Sequence, residues 1–165
     1  EDEYLAVIRG KTAELFAAAC EVGPVIAERP KAEQAAARAY GMNLGIAFQL
    51  VDDALDYGGK SQKLGKNTGD DFREGKITLP VILAYQAGDD TEKAFWREAM
   101  EGGRNDDEAL ARATALIHQH GALEETVQRA RQYGEAAYAA ASGLPQSPSR
   151  DAMLGVVEFC IDRVS

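Results

Sequence analysis

The stretch Gly41-Met42-Asn43-Leu44-Gly45-Ile46-Ala47-Phe48-Gln49-Leu50-Val51-Asp52-Asp53-Ala54-Leu55-Asp56-Tyr57 decides how this chain folds. Apart from Asn43, Gln49 and three aspartates it is apolar or glycine, and Gly41 and Gly45 are the only residues in it that weaken a helix. A helix apolar nearly all round belongs in the middle of a helical bundle. At about 3.6 residues per turn, Asp52 and Asp56 stack on one face. Asp53 stands about 100° away but only three residues from Asp56, and Gln49 lies one turn before the pair. Buried carboxylates repel one another and cost several kcal/mol unless they are protonated or compensated. The cluster therefore predicts a divalent cation or a matched set of basic side chains. Hard oxygen ligands select Mg2+, with Mn2+ as a substitute, and Mg2+ takes one or two carboxylates together with waters and phosphate oxygens. A phosphorylated ligand follows. The alternative is that Asp52, Asp53 and Asp56 form the solvated end of a helix whose core portion stops at Val51.

Outward from this segment the pattern is helical throughout. Tyr4, Leu5, Ile8, Thr12, Leu15, Phe16 and Ala19 repeat with helical period, and Gly23-Pro24 is expected to end that helix. Pro30 opens the next, which runs from Lys31 to Tyr57 with only Gly41 and Gly45 inside it. These two glycines fall on one face and allow a neighbouring backbone to approach closely. Gly58 to Gly75 is predicted as one long polar loop carrying Lys60, Lys63, Lys66 and Arg73, with Lys76 just beyond it. Helices are then predicted from Thr78-Pro80 to about Ala87, Asp89 to Glu101, Asn105 to His120, Leu123 to Ser142 and Ser149 to Val164. Residues 1–165 thus read as a single all-α domain.

Composition narrows the function. Among 165 residues, 27 acids against 18 bases give a net charge of −9, which argues against a general nucleic-acid binder and against attraction to anionic membranes. An anionic ligand needs bridging cations. Cys20 and Cys160 are isolated and read as reduced thiols in helical surroundings. No transmembrane segment or signal peptide is expected, and a cytoplasmic protein is the default. The chain opens at Glu1 directly in helical pattern, as a piece of a longer protein would.

Further polar residues have two readings each. Lys66, between two glycines ten residues past Asp56, and Lys76 are either phosphate-binding point charges or solubilising lysines. Lys11, beside Thr12, is either a ligand contact or a surface lysine, and Gln49 taken alone is a satisfied core amide. His118 and His120 suit the C-terminal end of a helix, while Trp96, Tyr133 and Tyr138 fall at core spacing.

Together, Tyr4 to Phe16, Gly41 to Tyr57 and Leu64 to Pro80 resemble the C-terminal half of the trans-isoprenyl diphosphate synthases, the polyprenyl synthetase family. The resemblance covers essentially the whole chain, with three motifs in the right order and spacing. The version Leu64-Gly65-Lys66-Asn67-Thr68-Gly69-Asp70-Asp71-Phe72-Arg73-Glu74-Gly75-Lys76 is most like the long-chain octaprenyl and decaprenyl diphosphate synthases.

The resemblance implies a helical bundle of the isoprenoid synthase type, here without its N-terminal helices. It implies elongation of an allylic diphosphate, such as farnesyl diphosphate, with isopentenyl diphosphate to a long-chain polyprenyl diphosphate, releasing diphosphate. By similarity, Asp52, Asp53 and Asp56 are the second aspartate-rich motif, with Asp52 the direct Mg2+ ligand. Lys11, Lys66 and Lys76 bind diphosphate, the oxygens of Thr12 and Gln49 face the developing cation, and the assembly is a homodimer. One departure matters: no DDxxD lies upstream of Asp52, and Asp89-Asp90 and Asp106-Asp107 lack the fourth-position partner. The chain by itself is therefore expected to be inactive. The competing readings are a non-catalytic helical subunit and a class I terpene cyclase.

Overall fold

A computed structural model describes residues 1–58 and 68–164, and every regular element among them is helical. The elements are α1 (Asp2–Ile8), a π-helical turn (Arg9–Ala13), α2 (Glu14–Ile26), α3 (Lys31–Tyr57), α4 (Asp70–Arg73), α5 (Leu79–Ala87), α6 (Asp90–Met100), α7 (Asp107–Gln119), α8 (Ala122–Ser142) and α9 (Pro148–Asp162). They divide into two compact units, one of Glu1 with Asp52–Val127 and the other of Asp2–Val51 with Gln128–Ser165. The divisions fall inside α3 and α8.

In the second of these units, small residues set the packing. A Cβ on Gly41 would lie 2.7 Å from the carbonyl carbon of Phe16, and one on Gly45 would lie 2.7 Å from Cα of Ala13. Both are backbone atoms that cannot yield, so the predicted close approach is a requirement of this packing. Tyr40 adds a tie to α9, donating its hydroxyl to the Met153 carbonyl at 2.9 Å. Arg38 reaches Glu14 at 2.6 Å and Glu21 at 3.0 Å. Leu15, Ile26 and Phe159 remain exposed, at 73%, 77% and 73%.

The other unit closes on Tyr57, Phe72, Val81, Ala84, Phe95, Trp96, Ala113 and Ile117. Two of its helices, α6 and α7, start on the capping chemistry of acids. Asp89 accepts from the Glu92 amide while Glu92 accepts from that of Asp89, and Asp106 accepts from the Ala109 amide. The aspartate pairs at 89–90 and 106–107 thus supply helix starts. His120 Nε2 meets Glu92 Oε2 at 2.8 Å, in keeping with a structural role.

Three local expectations need revision. The helix expected to stop at Gly23-Pro24 runs on to Ile26 with Pro24 inside it. Proline forfeits only its own N–H there, and the following turn closes through Ala27 N–H to the Gly23 carbonyl at 3.0 Å and Arg29 N–H to the Pro24 carbonyl at 2.9 Å. The predicted loop 58–75 contains the short helix α4, anchored by the wholly buried Phe72. Tyr138, expected in the core, is 40% exposed.

Candidate active site

Lys11 and Thr12 lie on the π-helical turn, a wider coil than the helices around it and one that recurs at functional positions. Periodicity does not predict it. The one hint is Gly10, a weak helix former where the pattern is otherwise helical. Close packing at Gly45 carries this turn against α3, and one turn further along, Thr12 Oγ1 donates to Gln49 Oε1 at 2.8 Å. The rings of Phe16 and Phe48 lie with centroids 5.9 Å apart, tilted by 32°. Because Thr12 donates its proton to Gln49, its lone pairs are left to accept positive charge from elsewhere. Lys11 is exposed.

In the other unit the aspartates are not the solvated end of a helix. Asp53 is only 5% exposed, and Asp52 and Asp56 are half-buried within the apolar turn Val51–Tyr57. Burial foremost, then the nearby Asp71, pushes the Asp56 carboxyl above the usual range, against the pull of hydrogen bonds from the Asp71 and Asp70 amides. Those bonds are well formed: the Asp70 N–H reaches Asp56 Oδ1 at 3.2 Å and the Asp71 N–H reaches Oδ2 at 3.1 Å. The Gly69 N–H adds a bond to the Asp56 carbonyl at 3.0 Å. Charge-assisted bonds of this type contribute about 1.5–3 kcal/mol each.

Asp71 in turn holds Lys76, whose ammonium lies 2.8 Å from Asp71 Oδ1 and 2.6 Å from Glu74 Oε2. Hydrogen bonds to these two carboxylates push Lys76 above the usual lysine range. Arg73 pairs with Asp107 at 2.9 Å and donates to the Thr68 carbonyl at 2.9 Å, while Asn105 donates to the Arg73 carbonyl. Gly69 starts α4 in the left-handed region, φ 82°, and has no side chain to cap it. Lys66, with Lys60 and Lys63, lies outside the described residues.

The site residues named from sequence thus appear in two local arrangements: Thr12 with Gln49, and Asp56 with the start of α4, where Asp71 in turn meets Lys76. Asp71 is the participant that sequence reading missed. Its signal was a glycine before two acids, a helix start whose cap has to come from elsewhere. Among the described residues no three His, Cys, Asp or Glu side chains converge tightly enough to enclose a metal ion. The donor set still suits Mg2+, which binds through one or two carboxylates and completes its shell with water and phosphate. Asp52 and Asp53 carry hard oxygens of the type that such a mode would use.

Comparison with known proteins gives these arrangements a setting. The sequence model of the polyprenyl synthetase family matches residues 1–117. Octaprenyl diphosphate synthase of Haemophilus influenzae is 40% identical over 164 residues, covering 99% of this chain and 49% of the relative. The octaprenyl diphosphate synthase of Escherichia coli is 39% identical over 163 residues, with 99% and 50% covered. Among solved structures, a decaprenyl diphosphate synthase from Rhodobacter capsulatus superposes with a TM-score of 0.93 at 49% identity, over 99% of this chain and 50% of that one. A Caulobacter crescentus polyprenyl synthase, solved with calcium and isoprenyl diphosphate, superposes with a TM-score of 0.89 at 46% identity, over 98% and 49%. The chain spans about half the length of the curated relatives it matches.

Proposed function

The chain belongs to the polyprenyl synthetase family, and from that premise we propose that it serves the elongation of an allylic diphosphate, such as farnesyl diphosphate, by isopentenyl diphosphate to a long-chain polyprenyl diphosphate. The observation that carries this reading is the burial of Asp53, with Asp52 and Asp56 half-buried beside it, in an otherwise apolar turn of α3. Buried acids with that spacing are favourable when a cation joins them.

In this proposal Asp52 is the direct ligand of Mg2+ or Mn2+, and Asp53 and Asp56 support it. The metal, when bound, neutralises the charge that grows on the leaving diphosphate. Lys11, Lys66 and Lys76 hold diphosphate oxygens as point charges, with Lys76 exchanging a carboxylate partner for phosphate. Thr12 and Gln49 turn oxygen lone pairs toward the allylic carbon as its bond to the diphosphate breaks. The helix from Gly41 to Leu50 supplies part of the apolar wall that keeps water from that cation. Loss of a proton after attack by the isopentenyl double bond completes the step.

Calorimetric titration of the chain with inorganic diphosphate in Mg2+ tests the site. Binding by the unmodified chain and affinity about tenfold weaker in Asp52→Ala, a loss of about 1.4 kcal/mol, are expected; equal affinities sink the assignment. Because no DDxxD precedes Asp52, the chain alone is expected not to condense farnesyl and isopentenyl diphosphates. Radiolabelled product from the purified 165 residues would overturn that part. The exposed Leu15, Ile26 and Phe159 support a homodimer, because apolar surface of this kind seeks a partner. A concentration-independent monomer in sedimentation opposes it.

A further inference from the structure

We propose that Asp56 is a positioning residue, whose carboxylate holds the start of α4 and, through Asp71, the Lys76 ammonium, instead of ligating the metal. The inference rests on the reading of Asp52 as the metal ligand and reassigns one member of the same motif. Three acceptors of Asp56 converge on three consecutive amides. Its carbonyl takes the Gly69 N–H at 3.0 Å, Oδ1 the Asp70 N–H at 3.2 Å and Oδ2 the Asp71 N–H at 3.1 Å.

The need for such a clasp is local and physical. A helix start exposes amides without intrahelical partners, and Gly69 has no side chain with which to meet them. Asp56, from another helix, supplies the missing caps. The far side of α4 is held as well, because Phe72 is wholly buried in the core of this unit. Held on both sides, Asp71 presents two acceptors to one residue: its carbonyl takes the Lys76 N–H at 2.9 Å and Oδ1 takes Lys76 Nζ at 2.8 Å. The chain of contacts therefore runs from Asp56 to Asp71 to Lys76, a proposed diphosphate contact. A carboxylate turned toward two amides, with an oxygen committed to each, is poorly placed to turn toward a cation.

Three variants of the chain test this: Asp56→Ala, Asp56→Asn and Asp52→Ala, each read by residue-resolved amide exchange and by Mn2+ titration followed by electron paramagnetic resonance. In Asp56→Ala the Asp70 and Asp71 amides are expected to exchange about tenfold faster, the loss of a charge-assisted bond, while Mn2+ affinity falls by less than in Asp52→Ala. Asparagine has one acceptor oxygen where aspartate has two, so Asp56→Asn is expected to restore slow exchange at one amide and not the other. A general loss of stability does not produce that split. Asp52→Ala is expected to weaken Mn2+ about tenfold with both amides still protected. Unchanged exchange in Asp56→Ala, or a loss of Mn2+ affinity equal to that of Asp52→Ala, overturns the proposal. If Asp56→Ala does not fold, the one-amide pattern in Asp56→Asn decides. Absence of Mn2+ binding in the unmodified chain counts against the metal reading, and the exchange data then judge Asp56 separately.

Discussion

Thr12 and Gln49, 37 residues apart in the chain, meet through one hydrogen bond in which Thr12 Oγ1 donates to Gln49 Oε1 at 2.8 Å. Valine at position 12 keeps the branched shape and removes the donor. Thr12→Val is expected to lower stability by about 1 kcal/mol in urea denaturation, the net value of a partly buried hydrogen bond. Removing both partners, Thr12→Val with Gln49→Leu, is expected to cost less than the sum of the single changes. Strict additivity shows that the bond contributes nothing.

Glycine at position 45 is a packing requirement, because a Cβ there would stand 2.7 Å from Cα of Ala13. Gly45→Ala is expected to destabilise the protein by about 1–3 kcal/mol, the usual cost of overpacking. Gly10 is the internal control. A Cβ at that position meets nothing within 4 Å, so Gly10→Ala is expected to be neutral or to stabilise by up to about 1 kcal/mol through helix propensity. Thermal melting of the two variants side by side checks the contrast.

Tyr40 sets an alkaline limit. Burial, with smaller contributions from Cys20 and Cys160, pushes its phenol up to about 12. In the unfolded chain a tyrosine ionises near pH 10. The unfolded state therefore loses its proton first, and the Tyr40 contribution to stability is full below about pH 10 and is lost as the pH rises through about 12. Urea unfolding between those values is expected to show a decline that is shallower in Tyr40→Phe. Equal slopes would remove Tyr40 from the account.

Cys20 and Cys160 are free thiols, the first half-buried and the second buried, and burial raises both above their ordinary range. Reaction with a disulfide reagent at pH 8 is expected to be slower in the folded protein than in the denatured one, since the thiolate is the reactive form. Two thiols are expected on denaturation without reductant. A fast native reaction at Cys160 contradicts its burial.

Much of the fold was legible because its signals are local. The apolar run into Tyr57, the proline at position 30 and the aspartates at 89 and 106 each act within one or two turns, and the helices begin where those residues direct them. Pro24 was misread because the penalty of proline depends on whether its N–H is needed, and near the end of α2 one lost bond is tolerated. Helix α4 was missed because a four-residue helix has no periodicity to read. Tyr138 was misplaced because an aromatic at helical spacing can face either way until a neighbour covers it.

The sequence by itself determined the all-helical architecture, the family, and the spacing that puts Asp52, Asp53 and Asp56 on neighbouring positions of one helix. Each of these depends on residues close together in the chain, where helical period and side-chain chemistry suffice. Only the tertiary structure decided which partner each polar group takes. It joined Thr12 to Gln49, turned Asp56 toward the amides of Asp70 and Asp71, and placed Lys76 between Asp71 and Glu74. A carboxylate or an ammonium has the same chemistry in any sequence. The distance and direction of what surrounds it arise from packing, as when Gly45 of α3 lets the π-helical turn come within reach.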